Sequence, residues 1–100
     1  MKGSYVGRAK GGKLLRVALE WEGGTVGSIS VHGDFFAHPE DAFDEAERGL
    51  AGCALDGLGS RFGSLLAAGG VTLYGLLPED LDDAVRTITG SAPGGAESGN

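Results

Sequence analysis

Leu14-Leu15-Arg16-Val17-Ala18-Leu19-Glu20-Trp21-Glu22-Gly23-Gly24 decides the architecture of this chain. In an extended backbone Leu15, Val17, Leu19 and Trp21 fall on one face, and Arg16, Ala18, Glu20 and Glu22 on the other. A period of two with one wet face marks an antiparallel strand. Gly23-Gly24 turns the chain, and Thr25 to His32 follows with Ile29 and Val31 toward the core and Ser28, Ser30 and His32 outward. On the other side Gly11-Gly12 is a second turn signal, preceded by a weak, edge-like strand from Tyr5 to Lys10. Strands joined by glycine pairs make a meander.

Helical spacing begins after His38. Pro39 suits a first helical position, and Glu40 and Asp41 favour the positive end of the helix dipole. Ala42, Phe43, Ala46 and Leu50 then form one apolar stripe. Leu58, Phe62, Leu65 and Leu66 mark a second helix that Gly69-Gly70 stops. Val71 to Leu77 reads as a short apolar strand. Pro78-Glu79-Asp80 opens a third helix with Leu81, Ala84, Val85 and Ile88 on one face, ended by Gly90. The expectation is α+β: a two-layer sandwich in which three helices cover a mainly antiparallel sheet, made of the three-strand meander plus one strand. Residues 1–90 form the domain, and the small, polar stretch from Ser91 to Asn100 reads as a disordered tail.

One hundred residues make a single domain. Twenty glycines are in excess of the usual ~7%, but they follow no three-residue period, which excludes collagen. No run approaches the ~20 apolar residues of a membrane span, and Met1-Lys2-Gly3-Ser4-Tyr5 lacks a signal-peptide core. A single cysteine excludes an internal disulfide and a cysteine-rich zinc site, which points to the cytoplasm. The net charge of −6 conceals a basic start: residues 1–17 hold Lys2, Arg8, Lys10, Lys13 and Arg16 with no acid. An acidic body argues against nucleic-acid binding. The basic start either guards an edge strand or meets one small anion.

Two clusters stand out. Lys10-Gly11-Gly12-Lys13 has backbone amides flanked by ammonium groups, yet it sits between strands and lacks the spacing of a P-loop. It is either a solvated hairpin or an anion contact. Gly33-Asp34-Phe35-Phe36 sets adjacent aromatics at a strand end, where neighbours point to opposite faces. Either one ring stays outside for a partner, or a turn lets both pack under the first helix; Asp34 either fixes the turn or makes a polar contact. His32 and His38 lack companions for a metal site. Cys53 lies in Leu50-Ala51-Gly52-Cys53-Ala54-Leu55, apolar surroundings that favour packing over reactivity. Asp41, Asp44, Glu45 and Glu47 read as a solvated helix face. No catalytic residue and no metal ligand is assigned.

In order and spacing, Lys10-Gly11-Gly12-Lys13-Leu14-Leu15-Arg16-Val17, Gly33-Asp34-Phe35-Phe36, Pro39-Glu40, Leu50-Ala51-Gly52, and Tyr74-Gly75 with Pro78-Glu79-Asp80-Leu81 resemble the C-terminal accessory domain of lipoate–protein ligases. That resemblance runs from Tyr5 to Ile88. It implies a fold similar to that of iron–sulfur scaffold and sulfur-acceptor proteins. It also implies an accessory role: a catalytic large subunit binds lipoate, ATP and Mg, forms lipoyl-adenylate and passes the lipoyl group to a lysine of a lipoyl acceptor domain. No part of that catalytic apparatus is in this chain, which on this reading binds no cofactor alone. Met1 and the glycine-rich end favour a separate small subunit. The resemblance makes Lys10, Gly11, Gly12, Lys13, Gly33, Asp34, Phe35 and Phe36 candidate partner- or substrate-proximal residues. The rival readings are an iron–sulfur assembly or sulfur-acceptor protein relying on Cys53, and a plain protein-interaction module.

Overall fold

In a computed structural model that describes residues 1–90, strands β1 (Lys2–Arg8), β2 (Leu14–Glu22) and β3 (Thr25–Gly33) form an antiparallel sheet in the order β1-β2-β3. The meander follows from the polarity pattern of β2, whose Leu15, Val17 and Leu19 are buried while Arg16, Ala18 and Glu20 are exposed. β1 begins at Lys2 and ends at Arg8, earlier than Tyr5 to Lys10, because Gly3, Tyr5 and Gly7 alternate inward and extend the ladder back to the chain start. Beyond the strand ends Ala9 and Lys13 still pair, which leaves Lys10, Gly11 and Gly12 as a three-residue loop. The Gly12 N–H donates to Ala9 O and the Ala9 N–H to Lys13 O, each at 2.8 Å, with Gly12 at φ +86°. This is the turn-plus-left-handed-residue hairpin that glycine enters without strain.

β3 departs from simple alternation. Trp21 pairs with Val26 but Glu20 pairs with Ser28, so Gly27 is an extra residue in the ladder. Such a bulge resets which face the next side chains take. It lets Val26 enter the core together with Val31, a role that strict alternation from Ile29 conceals. The outer edge of β3 is covered. The Val26 N–H donates to Cys53 O at 2.9 Å, Val26 O accepts from Gly52 N–H at 2.8 Å, and the Val31 N–H donates to Glu47 Oε2 at 2.6 Å. Glu47 thereby leaves the solvated face expected for it.

The helices α1 (Glu40–Arg48), α2 (Leu58–Ala68) and α3 (Pro78–Thr89) lie on one side of the sheet, α3 against β1 and β2 and α1 against β3. Pro39 is the N-cap of α1 rather than its first residue, and α1 ends at Arg48, before Leu50, which is nonetheless fully buried. Phe62 of α2 is the largest fully buried side chain, meeting Phe43 at 5.8 Å between ring centres.

The expected fourth strand is shorter and lies elsewhere. β5 (Thr72–Tyr74) pairs antiparallel with β4 (Phe36–His38), a strand the sequence reading passed over, and the two make a separate ladder. The α+β sandwich of meander, further strand and three helices stands; the single sheet does not. Three residues between Phe35 and Pro39 carry no period to read. The tail expectation for residues 91–100 lies outside the described residues.

Candidate functional site

The small β4–β5 ladder brings the two sequence clusters to one end of the molecule. Gly33 pairs with Leu15, and the Asp34 N–H donates to Leu14 O at 3.0 Å. A Cβ at Gly33 would collide with that same carbonyl, so glycine is required by close backbone approach. The chain is then fixed by backbone bonding, and the exposed Asp34 carboxylate is not what turns it.

The adjacent phenylalanines part company. Phe35 is half-buried, tilted against Phe43 with ring centres 5.6 Å apart. Phe36 is 74% exposed and stands directly opposite Tyr74, itself 63% exposed. Leu77, two residues beyond Gly75, is 48% exposed. Sequence reasoning singles out Phe36 but not Tyr74, because only the β4–β5 pairing puts Tyr74 opposite it. Directly opposed residues in a ladder have Cβ atoms within ~5.5 Å, so the two rings form one surface feature.

The lysine loop approaches the same end. A Cβ built on Gly75 would lie 3.1 Å from Lys13 Cγ and 3.6 Å from Phe35 Cα, and a Cβ on Gly11 would meet Gly75 O at 4.0 Å. Asp80, only 3% exposed, ties the loop down. Its Oδ1 accepts from the Lys10 N–H at 3.1 Å, and its Oδ2 from the Leu77 N–H at 2.8 Å, at the start of α3.

The two lysines have different electrostatic settings. Lys10 Nζ donates to Glu79 Oε2 at 2.9 Å and lies 3.4 Å from Asp83 Oδ2. The Glu79 hydrogen bond, with Asp83 beside it, raises the Lys10 pKa above its ordinary 10.5. A raised cationic pKa means the tie is fully present below 10.5 and is lost only as pH climbs through the folded value. Among the described residues Lys13 has no carboxylate within ion-pair distance and is exposed. Of the paired lysines in the sequence, only Lys13 therefore offers an uncommitted charge.

Other candidate chemistry is weaker. His32 and His38 are exposed, and no three His, Cys, Asp or Glu side chains of the described residues converge on a possible metal position. Cys53, on the connection between α1 and α2, is half-buried against the core, with its thiol donating to Gly49 O at 3.4 Å. A hollow of about 810 Å³ opens between Trp21, Leu55 and α3, where Asp56, Asp82 and Arg86 line it. No helix of the described residues is long and apolar enough to cross a membrane.

No family model matches the sequence. A curated protein of Thermoplasma acidophilum, lipoate-protein ligase A subunit 2, is 35% identical over 81 residues, 81% of this chain and 84% of the relative. Among solved structures, a chain from the bipartite lipoate protein ligase and E2 lipoyl domain system of the same organism superposes with a TM-score of 0.69. It is 31% identical, and the match covers 88% of this chain and 100% of that one.

Proposed function

The chain belongs to the family of lipoate-protein ligase A subunit 2, and on that premise we propose that it is the accessory half of a two-part ligase, seated on a catalytic subunit that it helps to activate lipoate. The observation that carries the site is the exposed Phe36–Tyr74 pair at the end of the molecule where Lys13 approaches Gly75. Aromatic rings exposed together serve as anchors at interfaces. Cys53 is half-buried against the core with its thiol bonded to Gly49 O, which disfavours the sulfur-acceptor alternative.

Lipoate, ATP and Mg are used by the complex, and the catalytic subunit supplies their pockets. There the lipoate carboxylate attacks the α-phosphorus of ATP and pyrophosphate leaves, forming a mixed anhydride. Two anions must approach, and the product is open to water. A small subunit closing on that site excludes water and holds the geometry. Lys13 adds an uncommitted positive charge to the closing surface. The lipoyl group then passes to the lysine of the acceptor domain, so this chain meets that domain only within the assembly. We place the reaction in the cytoplasm.

The test is lipoate-dependent pyrophosphate release by the cognate catalytic subunit with and without this chain. Stimulation is expected; its absence rejects the accessory role. The purified chain alone is expected to release none, and turnover by it would reject the accessory role. Cys53→Ala should leave stimulation unchanged, whereas a sulfur carrier would lose its activity.

Replacing Lys13 with Ala should slow single-turnover adenylation about five- to tenfold, the scale of one exposed charge near a phosphate. The loss should shrink at high salt, because exposed charges are screened over ~8 Å at physiological ionic strength. Saturating accessory subunit keeps weak binding from passing as slow chemistry. Lys10→Ala should act less on the rate, since its charge is spent on Glu79 and Asp83. Equal rates for the Lys13 variant and the parent would leave this loop as a solvated hairpin.

A further inference from the structure

β1 has an open edge. Met1 and Trp21 exchange backbone hydrogen bonds at 2.8 and 2.9 Å, and beyond the strand's far end Ala9 bonds Lys13. Antiparallel ladders alternate bonded and unbonded pairs. Gly3, Tyr5 and Gly7 therefore turn their backbone groups to β2, opposite Leu19, Val17 and Leu15. The N–H and C=O groups of Lys2, Ser4, Val6 and Arg8 point away from the sheet, and among the described residues nothing pairs with them.

The contrast with β3 is informative. That edge is closed by Gly52, Cys53 and the Glu47 carboxylate, as exposed edges usually are. Among the described residues β1 has no such cover. It is seven residues long and its register runs unbroken from Lys2 opposite Glu20 to Arg8 opposite Leu14. The strand is a regular template, free of the bulge that interrupts β3.

The same four residues also turn their side chains to the uncovered face of the sheet. Val6 is 66% exposed, with Arg16 opposite it on β2. Among the described residues Lys2, Arg8 and Arg16 have no carboxylate within ion-pair distance. Arg8 and Arg16 gather toward one end of this face, while Glu20 stands opposite Lys2 at the other. A second copy is a poor occupant, because antiparallel pairing of two β1 strands about Tyr5 would set Lys2 against Arg8 of the other copy.

We propose that the β1 edge receives an extended segment of the catalytic subunit, apolar opposite Val6 and flanked by carboxylates near Lys2, Arg8 and Arg16, to form one sheet across the two subunits. The assignment rests on the accessory-subunit reading. Arg8 Nη1 donates to Gly12 O at 2.8 Å, which ties the end of the strand to the loop that carries Lys13.

Val6→Pro removes an outward N–H without touching the ladder to β2. It should weaken association with the cognate catalytic subunit about tenfold or more, as loss of a central interface contact does. Arg8→Glu with Arg16→Glu should do the same through charge repulsion, and it serves as the test if the proline variant fails to fold. Residue-resolved hydrogen exchange of the wild-type chain should show the Ser4, Val6 and Arg8 amides becoming protected when the catalytic subunit is added. If wild type associates while these amides exchange freely and the charge variant binds normally, the edge proposal is overturned and the cations merely guard the strand. Protection that appears with concentration of this chain alone would equally overturn it, in favour of self-pairing. No association by wild type at all would instead reject the accessory reading beneath it.

Discussion

Phe36→Ala combined with Tyr74→Ala should weaken association with the catalytic subunit about 100-fold, the range of two moderate aromatic hot spots lost together. The same variant should melt within a few degrees of the parent. Both rings already stand largely in water, so little folded-state burial is removed. Phe35→Ala should behave in the opposite way. Phe35 is packed against Phe43, and its loss should cost about 2 kcal/mol of folding stability, short of the ~3–5 kcal/mol of a wholly buried ring. Its surviving folded fraction should bind almost normally. Titration calorimetry against the cognate catalytic subunit, with thermal melts on the same samples, separates the two. An aromatic pair that can be removed without loss of affinity would leave the β4–β5 end as bare surface and move the interface elsewhere.

That separation of neighbours was half legible from sequence. Alternation says that adjacent rings in an extended segment diverge, and it correctly limits how many can enter the core. It cannot say which one. The answer depends on the β4–β5 ladder, and three-residue strands carry too little pattern to be recognised. The meander, by contrast, was written in the nine residues of β2, where burial alternates along the strand as the polarity does. β3 was read correctly in extent, but Val26 escaped because Gly27 breaks the period and moves the preceding side chain to the other face. Helix α3 followed its spacing closely, with Leu81, Ala84 and Val85 all buried. What spacing could not disclose is the second use of its first turn. Glu79, Asp80 and Asp83 all face a loop some 70 residues earlier, a pairing that no local rule contains.

The loop and the helix are coupled through Asp80, and its replacement should have the largest single effect at this end of the molecule. Asp80→Ala strips the acceptor from the Leu77 N–H and the Lys10 N–H together. One is an N-terminal helix cap, usually worth about 1 kcal/mol, and the other becomes a poorly solvated donor costing about 1–3 kcal/mol more. A loss of about 2–4 kcal/mol in urea denaturation is therefore expected, a large share of a small domain's stability. Function should suffer beyond that. With the loop freed from α3, Lys13 loses its fixed place beside Gly75, and adenylation by the saturated complex should fall further than it does for Lys10→Ala, which leaves the backbone tie intact. Asp80→Asn should fall between the two, because its amide keeps one acceptor but turns a donor toward the other N–H. Single-turnover adenylation, measured at a temperature where every variant remains folded, decides the matter. If Asp80→Ala loses stability yet sustains the full rate, the tie serves the fold alone, and the position of the Lys10–Lys13 loop has no part in the chemistry.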